Sequence, residues 1–166
     1  MRVNLGCPDK CADFDVCIDR LTSPGVSVYD LGASIPPGSV DYVYSKNLLE
    51  HLGNPLQFLV SVFAVLKPGG VLDLITDNAR FAPFYWKRFA FFNRWFKYGV
   101  FGVHAGVPFQ RDAGDHYCIF SEAHLRRLFG AAGFRVDRVE FGVFQGRIAG
   151  LGTTLAPRIR VTGVRW

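Results

Sequence analysis

Residues 39–76 read SVDYVYSKNLLEHLGNPLQFLVSVFAVLKPGGVLDLIT, and the order of signals within them decides the fold. Val40 to Ser45 alternates Val and Tyr with smaller or charged residues, the period of a β-strand. Asn54 followed by Pro55 is a helix start, with Asn as the N-cap and Pro at the first helical position, where its missing N–H costs nothing. The apolar run from Leu56 to Leu66 is the body of that helix, and Lys67-Pro68-Gly69-Gly70 ends it. Val71 to Thr76 (VLDLIT) is a second strand. A strand, a helix and a strand within so few residues form a crossover between parallel strands.

Working outward, residues 2–5, 15–18 and 26–29 are short Val- and Ile-rich runs separated by Pro, Gly, Asp and Ser, and each predicts a strand. Val71 to Thr76 is then the fifth strand. Ser121 caps a second helix with Leu125, Leu128, Phe129 and Ala132 on one face and Arg126 and Arg127 outward, and Gly133 stops it. Phe134 to Phe141 and Arg158 to Trp166 are two late strands around a Gly-rich connection. This alternation predicts an α/β architecture with a mainly parallel sheet. One segment departs from it: from Asn78 to Arg111 there is no acid, while Arg80, Lys87, Arg88, Arg94, Lys97 and Arg111 supply six cations and residues 81–101 hold eleven aromatics. It is an insert, residues 79–115, with aromatics at three- and four-residue spacing that predict a helical stretch.

With 166 residues, 49% of them hydrophobic, the chain is expected to form one domain, 1–166, and disordered or fibrous classes are excluded. Its longest uncharged apolar run falls short of the roughly 18 residues of a membrane span, and no signal-peptide pattern opens the chain, so a cytoplasmic location is expected. A net charge of +5 favours anionic partners without calling for nucleic acid, which is not the first expectation. Cys7, Cys11 and Cys17 have a C-x3-C-x5-C spacing that matches no zinc pattern, so no metal site is expected; ordinary thiols are favoured over a disulfide.

Chemistry is suggested at the strand ends. Asn4-Leu5-Gly6-Cys7 follows the first strand and Asp19 ends the second, so a glycine turn and a carboxylate meet at the edge where open α/β sheets bind nucleosides. The ordered blocks VNLGC, CID, VYDL, SVDYVYSKNLLEHL, VLKPGGVL and HYCIFS with AAGF resemble the class I S-adenosylmethionine-dependent methyltransferases, in particular the compact methyltransferase-domain family with a Leu-Glu-His-Leu segment after its fourth strand. The resemblance covers residues 2–77 and 115–141. It implies a Rossmann-like methyltransferase fold with an antiparallel C-terminal strand and the aromatic-rich insert after strand five. It also implies S-adenosylmethionine as cofactor, with Asn4, Gly6 and Cys7 by its methionine part, Asp19 on the ribose, Asp30 and Leu31 beside the adenine, and Lys46 and Asn47 near the sulfonium.

Two departures stand out. Pro8 replaces the second glycine of the usual Gly-Cys-Gly and removes one backbone donor. Only twelve residues separate Gly6 from Asp19, so the first crossover helix must be shortened or missing, which also argues against a dinucleotide. Methyl transfer is an in-line displacement in which positioning supplies most of the catalysis; His116, Asp77 and His51 are the candidates for a proton acceptor, His116 first because its unperturbed pKa lies near neutrality. Asn78 and Tyr117 are further candidates to meet a substrate. Expected is a methyltransferase acting on an O or N of a small-molecule or glycan-type acceptor, with an anionic, flat or lipid-linked acceptor favoured by the insert, which serves as lid. A non-catalytic binding module and a membrane-surface or RNA-binding protein built on the insert are the alternatives. In the helix from Pro55 to Lys67 only Gln57, Ser61 and Ala64 form a polar or small stripe, so burial on more than one side, by other parts of the chain or by a homodimer, is expected.

Overall fold

A computed structural model describes residues 1–6, 8–19, 23–81, 118–142 and 156–166. Its sheet contains β1 (Arg2–Leu5), β2 (Val16–Ile18), β3 (Val40–Lys46), β4 (Leu66–Asp77), β5 (Phe134–Gly142) and β6 (Arg158–Arg165) in the order β2-β1-β3-β4-β6-β5. Strand β6 runs antiparallel to both its neighbours, and the remaining pairs are parallel. The mainly parallel sheet with an antiparallel last strand is therefore as the sequence predicts.

One face of the sheet is apolar. Val3, Leu5, Val43, Leu72, Leu74, Ile159 and Val161 are buried in a single cluster with Phe58, Leu59, Val62 and Val65 of α1 (Pro55–Val65) and Leu125 and Phe129 of α2 (Glu122–Ala131). Each such side chain stabilises the fold by roughly 1.5 to 3 kcal/mol. The capping signals hold. Asn54 accepts from the Gln57 N–H at 3.1 Å. Ser121 and His124 form a reciprocal box, the Ser121 hydroxyl accepting from the His124 N–H at 3.3 Å. At the other end of α1, Arg165 donates to the carbonyls of Phe63, Ala64 and Leu66, satisfying groups that a helix C-terminus leaves without partners. Where Phe129 crosses β6 only glycine fits: a Cβ on Gly163 would lie 2.6 Å from the ring.

The opposite face is polar. Asp73, 3% exposed, accepts from the Tyr42 hydroxyl at 2.7 Å and from the Arg160 Nε at 2.7 Å. Burial and the Asp73 carboxylate push the Tyr42 hydroxyl well above the usual phenol range. Phe14 stacks on Tyr42 and Tyr44, with the Arg2 guanidinium 5.0 Å from the Phe14 ring.

Two expectations are corrected. Residues 26–29 form no strand: the Asp30 N–H turns back to the Ser27 carbonyl at 3.1 Å, and this turn, close behind Ser23-Pro24-Gly25, leaves too little extended chain to pair with the three-residue β2. Cys11 and Cys17 are joined as a disulfide, because the turns of Pro8–Asp13 bring their Cα atoms to 5.5 Å; Cys118 is a free thiol. Within the polar or small stripe of α1, Ser61 has a structural task. It is buried and its hydroxyl accepts from the Leu31 N–H at 2.7 Å, while Leu56 and Val60 are exposed at 38% and 48%. The crossover from β1 to β2 is the six-residue 3-10 segment Pro8–Asp13, so no full helix stands there, as expected. Residues 82–117, which hold nearly all of the insert, and the Gly-rich connection 143–155 lie outside the described residues.

Candidate active site

The carboxyl ends of β1, β2 and β3 adjoin, because Leu5 is in register with Ile18 on one side and with Ser45 on the other. Gly6 follows β1 with φ +75°, a conformation that side chains rarely adopt, and its N–H donates to the Ile18 carbonyl at 2.9 Å, one residue before Asp19. A Cβ on Gly6 would meet the Leu48 side chain at 3.0 Å, so the turn is shaped for a bare backbone. Asp19 is half-buried, and its carbonyl accepts from the Ser23 N–H at 2.8 Å. Lys46 ends β3. Asn47 follows with φ 55° and donates its N–H to the Ile75 carbonyl at 3.0 Å, which sets the angle at which the chain leaves the sheet. Asn4 lies one step inside, fully buried between Cys17 and Tyr44.

Asp30 and Leu31 arrive on a different segment. Leu31 starts the 3-10 turn Leu31–Ala33 and is anchored on α1 through Ser61; the exposed Asp30 precedes it, and its carboxylate makes no capping bond. The Tyr29 hydroxyl accepts from the Gly53 N–H at 3.1 Å, fastening this segment beside the start of α1. The structure thus brings Gly6, Asp19, Lys46 and Asn47 to one edge, and Asp30 and Leu31 to the adjoining flank of α1. Cys7, His116 and Tyr117 lie outside the described residues.

Next to this edge is a charged cluster that the sequence did not signal. Glu50 belongs to the 3-10 turn Leu49–His51 and is fully buried. It accepts from the Thr76 hydroxyl at 2.8 Å and faces the Arg158 Nη1 at 3.4 Å. Arg158 also pairs with Asp77. Burial, and then the nearby Asp77 charge, push the Glu50 carboxyl up to about 7. Asp77 is therefore held by an arginine from the far end of the chain. Asn78 is likewise built into the fold: its amide donates to the Ala156 carbonyl at 2.7 Å, and its side-chain oxygen accepts from the Arg80 N–H at 3.0 Å. His51 is half-buried on the same turn as Glu50. The Cys118 N–H donates to the Glu50 carbonyl at 3.1 Å, so the chain re-enters the fold on this cluster. A groove of about 460 Å3 is lined by Cys118, Ile119, Phe120, His124, Arg127 and Leu128, and its Phe120 bridges to Asn78 just after the end of β4. Burial raises the Cys118 thiol above its ordinary value.

The donor set fits an adenosyl sulfonium ligand: carboxylates suited to ribose and adenine contacts, and a glycine turn whose backbone a ligand can approach closely. No group of three or more His, Cys, Asp or Glu side chains able to hold a metal occurs among the described residues.

Comparison with known proteins supports the same assignment. Residues 6–139 match the family model described as a methyltransferase domain. A SAM-dependent methyltransferase structure from Methanosarcina mazei superposes with a TM-score of 0.66 at 17% identity, over 99% of this chain and 91% of that one. A possible histamine N-methyltransferase from Thermotoga maritima gives 0.65 at 14% identity, over 99% and 82%. These likenesses show the fold. The ubiquinone biosynthesis O-methyltransferase of Xanthomonas campestris pv. campestris is 45% identical over 58 residues, which is 35% of this chain and 24% of that protein. The match thus spans about a quarter of this curated relative. With the family model covering most of the chain and the sheet order and glycine turn in agreement, the protein belongs to the methyltransferase-domain family, whose cofactor is S-adenosylmethionine.

Proposed function

We propose that the chain is an S-adenosylmethionine-dependent methyltransferase acting on an O or N of a small-molecule or glycan-type acceptor in the cytoplasm. The observation that carries this is the bond from the Gly6 N–H to the Ile18 carbonyl at 2.9 Å, which puts a bare-backbone turn and the Asp19 carboxylate at adjoining strand ends. When bound, the cofactor supplies an electrophilic methyl on a sulfonium. The chain's own work is to accept ribose hydroxyls at Asp19, to flank the adenine with Asp30 and Leu31, and to leave room for the methionine part at Asn4, Gly6 and Cys7. Lys46 and Asn47 border the sulfonium. Where the acceptor must lose a proton, His116 or His51 takes it, because the Asp77 carboxylate is engaged by Arg158.

The insert 79–115 starts at Ala79, whose N–H donates to the Phe120 carbonyl at 2.8 Å, so the chain leaves and Phe120 returns side by side near the end of β4. Its acid-free, aromatic composition supports a role as one wall of the acceptor pocket, favouring an anionic, flat or lipid-linked acceptor. The O-methyltransferase among the curated relatives supports oxygen as an acceptor atom. Calorimetry with S-adenosylhomocysteine tests the cofactor reading. Binding that weakens about tenfold in Asp19→Ala supports it, since a charge-assisted hydrogen bond contributes roughly 1.5 to 3 kcal/mol. No binding by the parent protein refutes it and favours the binding-module alternative, with Pro8 as a cause.

A further inference from the structure

We infer that the Cys11–Cys17 disulfide is a modification site at which a dithiol reductant lowers the affinity of the chain for its cofactor; this rests on the cofactor reading above. The connection from β1 to β2 carries the two features that bracket that site, Gly6 before it and Asp19 after it. Where a crossover helix would brace the connection stands the 3-10 segment Pro8–Asp13, and β2 is a strand of three residues that, among the described residues, pairs with β1 and lies at the sheet edge. The disulfide ties these two weak elements together: Cys11 lies in the 3-10 segment, and Cys17 is the middle residue of β2, in register with Asn4.

Further contacts hold the far end of the connection. The Asp15 N–H donates to the Arg2 carbonyl at 3.0 Å, the Asp15 carboxylate accepts from the Arg2 N–H at 2.6 Å, and Phe14 stacks on Tyr42 and Tyr44. These hold Asp13 to Asp15 at the amino end of β1 whether or not the cysteines are joined. The half that follows Gly6 gains its covalent hold from Cys11. Neither Cys11 nor Cys17 is fully buried, which suits attack by a small reductant.

In the reaction a dithiol gives up two electrons and two protons and itself closes to a disulfide, while the Cys11–Cys17 bond opens to two thiols. Opening it releases a constraint on the unliganded connection, so cofactor binding must supply more of the ordering and the affinity falls. In the cytoplasm proposed above, a protein disulfide is held transiently and serves as a redox sensor more often than as a staple.

The test is calorimetry of the full chain with S-adenosylhomocysteine, in its oxidised form and after treatment with dithiothreitol. Circular dichroism checks that both forms are folded, and alkylation with mass spectrometry maps the cysteines. The oxidised form should bind about tenfold tighter. The Cys11→Ser/Cys17→Ser double variant should bind like the reduced protein and ignore dithiothreitol; if that variant does not fold, the oxidised and reduced parent decide between themselves. Equal affinity in the two forms overturns the inference and leaves the cofactor reading intact, and so does a double variant that still responds or a map that pairs Cys7 instead. No binding in either form overturns both.

Discussion

Replacing Glu50 by Gln should make the protein more stable above neutrality and remove a fall in stability that the parent shows between mildly acidic and neutral pH. Glu50 is fully buried beside Asp77, and the two carboxylates share the Arg158 guanidinium. In the unfolded chain a glutamate ionises near 4.5, whereas here burial moves ionisation to about 7. Between those values the unfolded state has released a proton that the folded state keeps, so raising the pH favours unfolding. The contribution is fully present below about pH 4.5, is lost progressively up to about pH 7, and is constant above that. A shift of that size is worth about 3 kcal/mol, at roughly 1.4 kcal/mol per pH unit.

Glutamine keeps the shape. Its oxygen can face Arg158 while its amide donates to the Thr76 hydroxyl, which rotates to accept. Urea unfolding of parent and variant at pH 5 and pH 8 measures the effect. The stability difference between the two proteins should change by about 2 to 3 kcal/mol in favour of the variant on going to pH 8. A difference that stays the same at both pH values, or a variant that loses ground at pH 8, would refute the argument that Glu50 carries a proton in the folded state.

Gly6→Ala forces a side chain into φ +75° against Leu48 and should cost about 1 to 2 kcal/mol in thermal unfolding, with a parallel loss of S-adenosylhomocysteine affinity by calorimetry. Gly163→Ala puts a methyl 2.6 Å from the Phe129 ring, and overpacking of that kind costs about 1 to 3 kcal/mol by urea unfolding. Asn54→Ala removes the cap on the Gln57 N–H and should cost about 1 kcal/mol. Replacing residues 82–110 by a Gly-Ser linker should keep S-adenosylhomocysteine affinity within about threefold, roughly 0.7 kcal/mol, and abolish methyl transfer; normal transfer by the shortened protein would exclude the insert as the acceptor wall.

The elements legible in the sequence were those whose signals are local. Asn54-Pro55 and Ser121 start helices because capping is decided within one turn, and the helices begin at the next residue in each case. The strand at 71–76 lies inside β4 because five of its six residues are apolar or β-branched between glycines and a polar end. Residues 26–29 carry the same composition and form no strand. Their β-propensity needed a partner edge, and β2 offers three residues, so tertiary context overrode propensity. The task of Ser61 was not legible for a related reason: its hydroxyl satisfies the buried Leu31 N–H, a demand set by a segment thirty residues earlier.

The same division runs through the candidate site. Gly6, Asp19, Lys46 and Asn47 could be placed at one edge from sequence because each directly follows or ends a strand, and parallel register carries strand ends together. Glu50 was in view only as part of the Leu-Glu-His-Leu segment, and its partner Arg158 is 108 residues away, so no spacing rule could join them. That separation also explains why the sequence offered Asp77 as a candidate proton acceptor and gave no sign of its arginine partner. An aspartate after a strand is ambiguous until the strand antiparallel to it is placed, and here the register of β4 with β6 sets Arg158 directly opposite Asp77. A buried arginine fixed in that way must be answered by carboxylates, since an unpaired guanidinium in the interior costs several kcal/mol. With Asp77 and Glu50 both drawn to Arg158, the end of β4 is a braced support beside the edge where Gly6, Asp19, Lys46 and Asn47 gather.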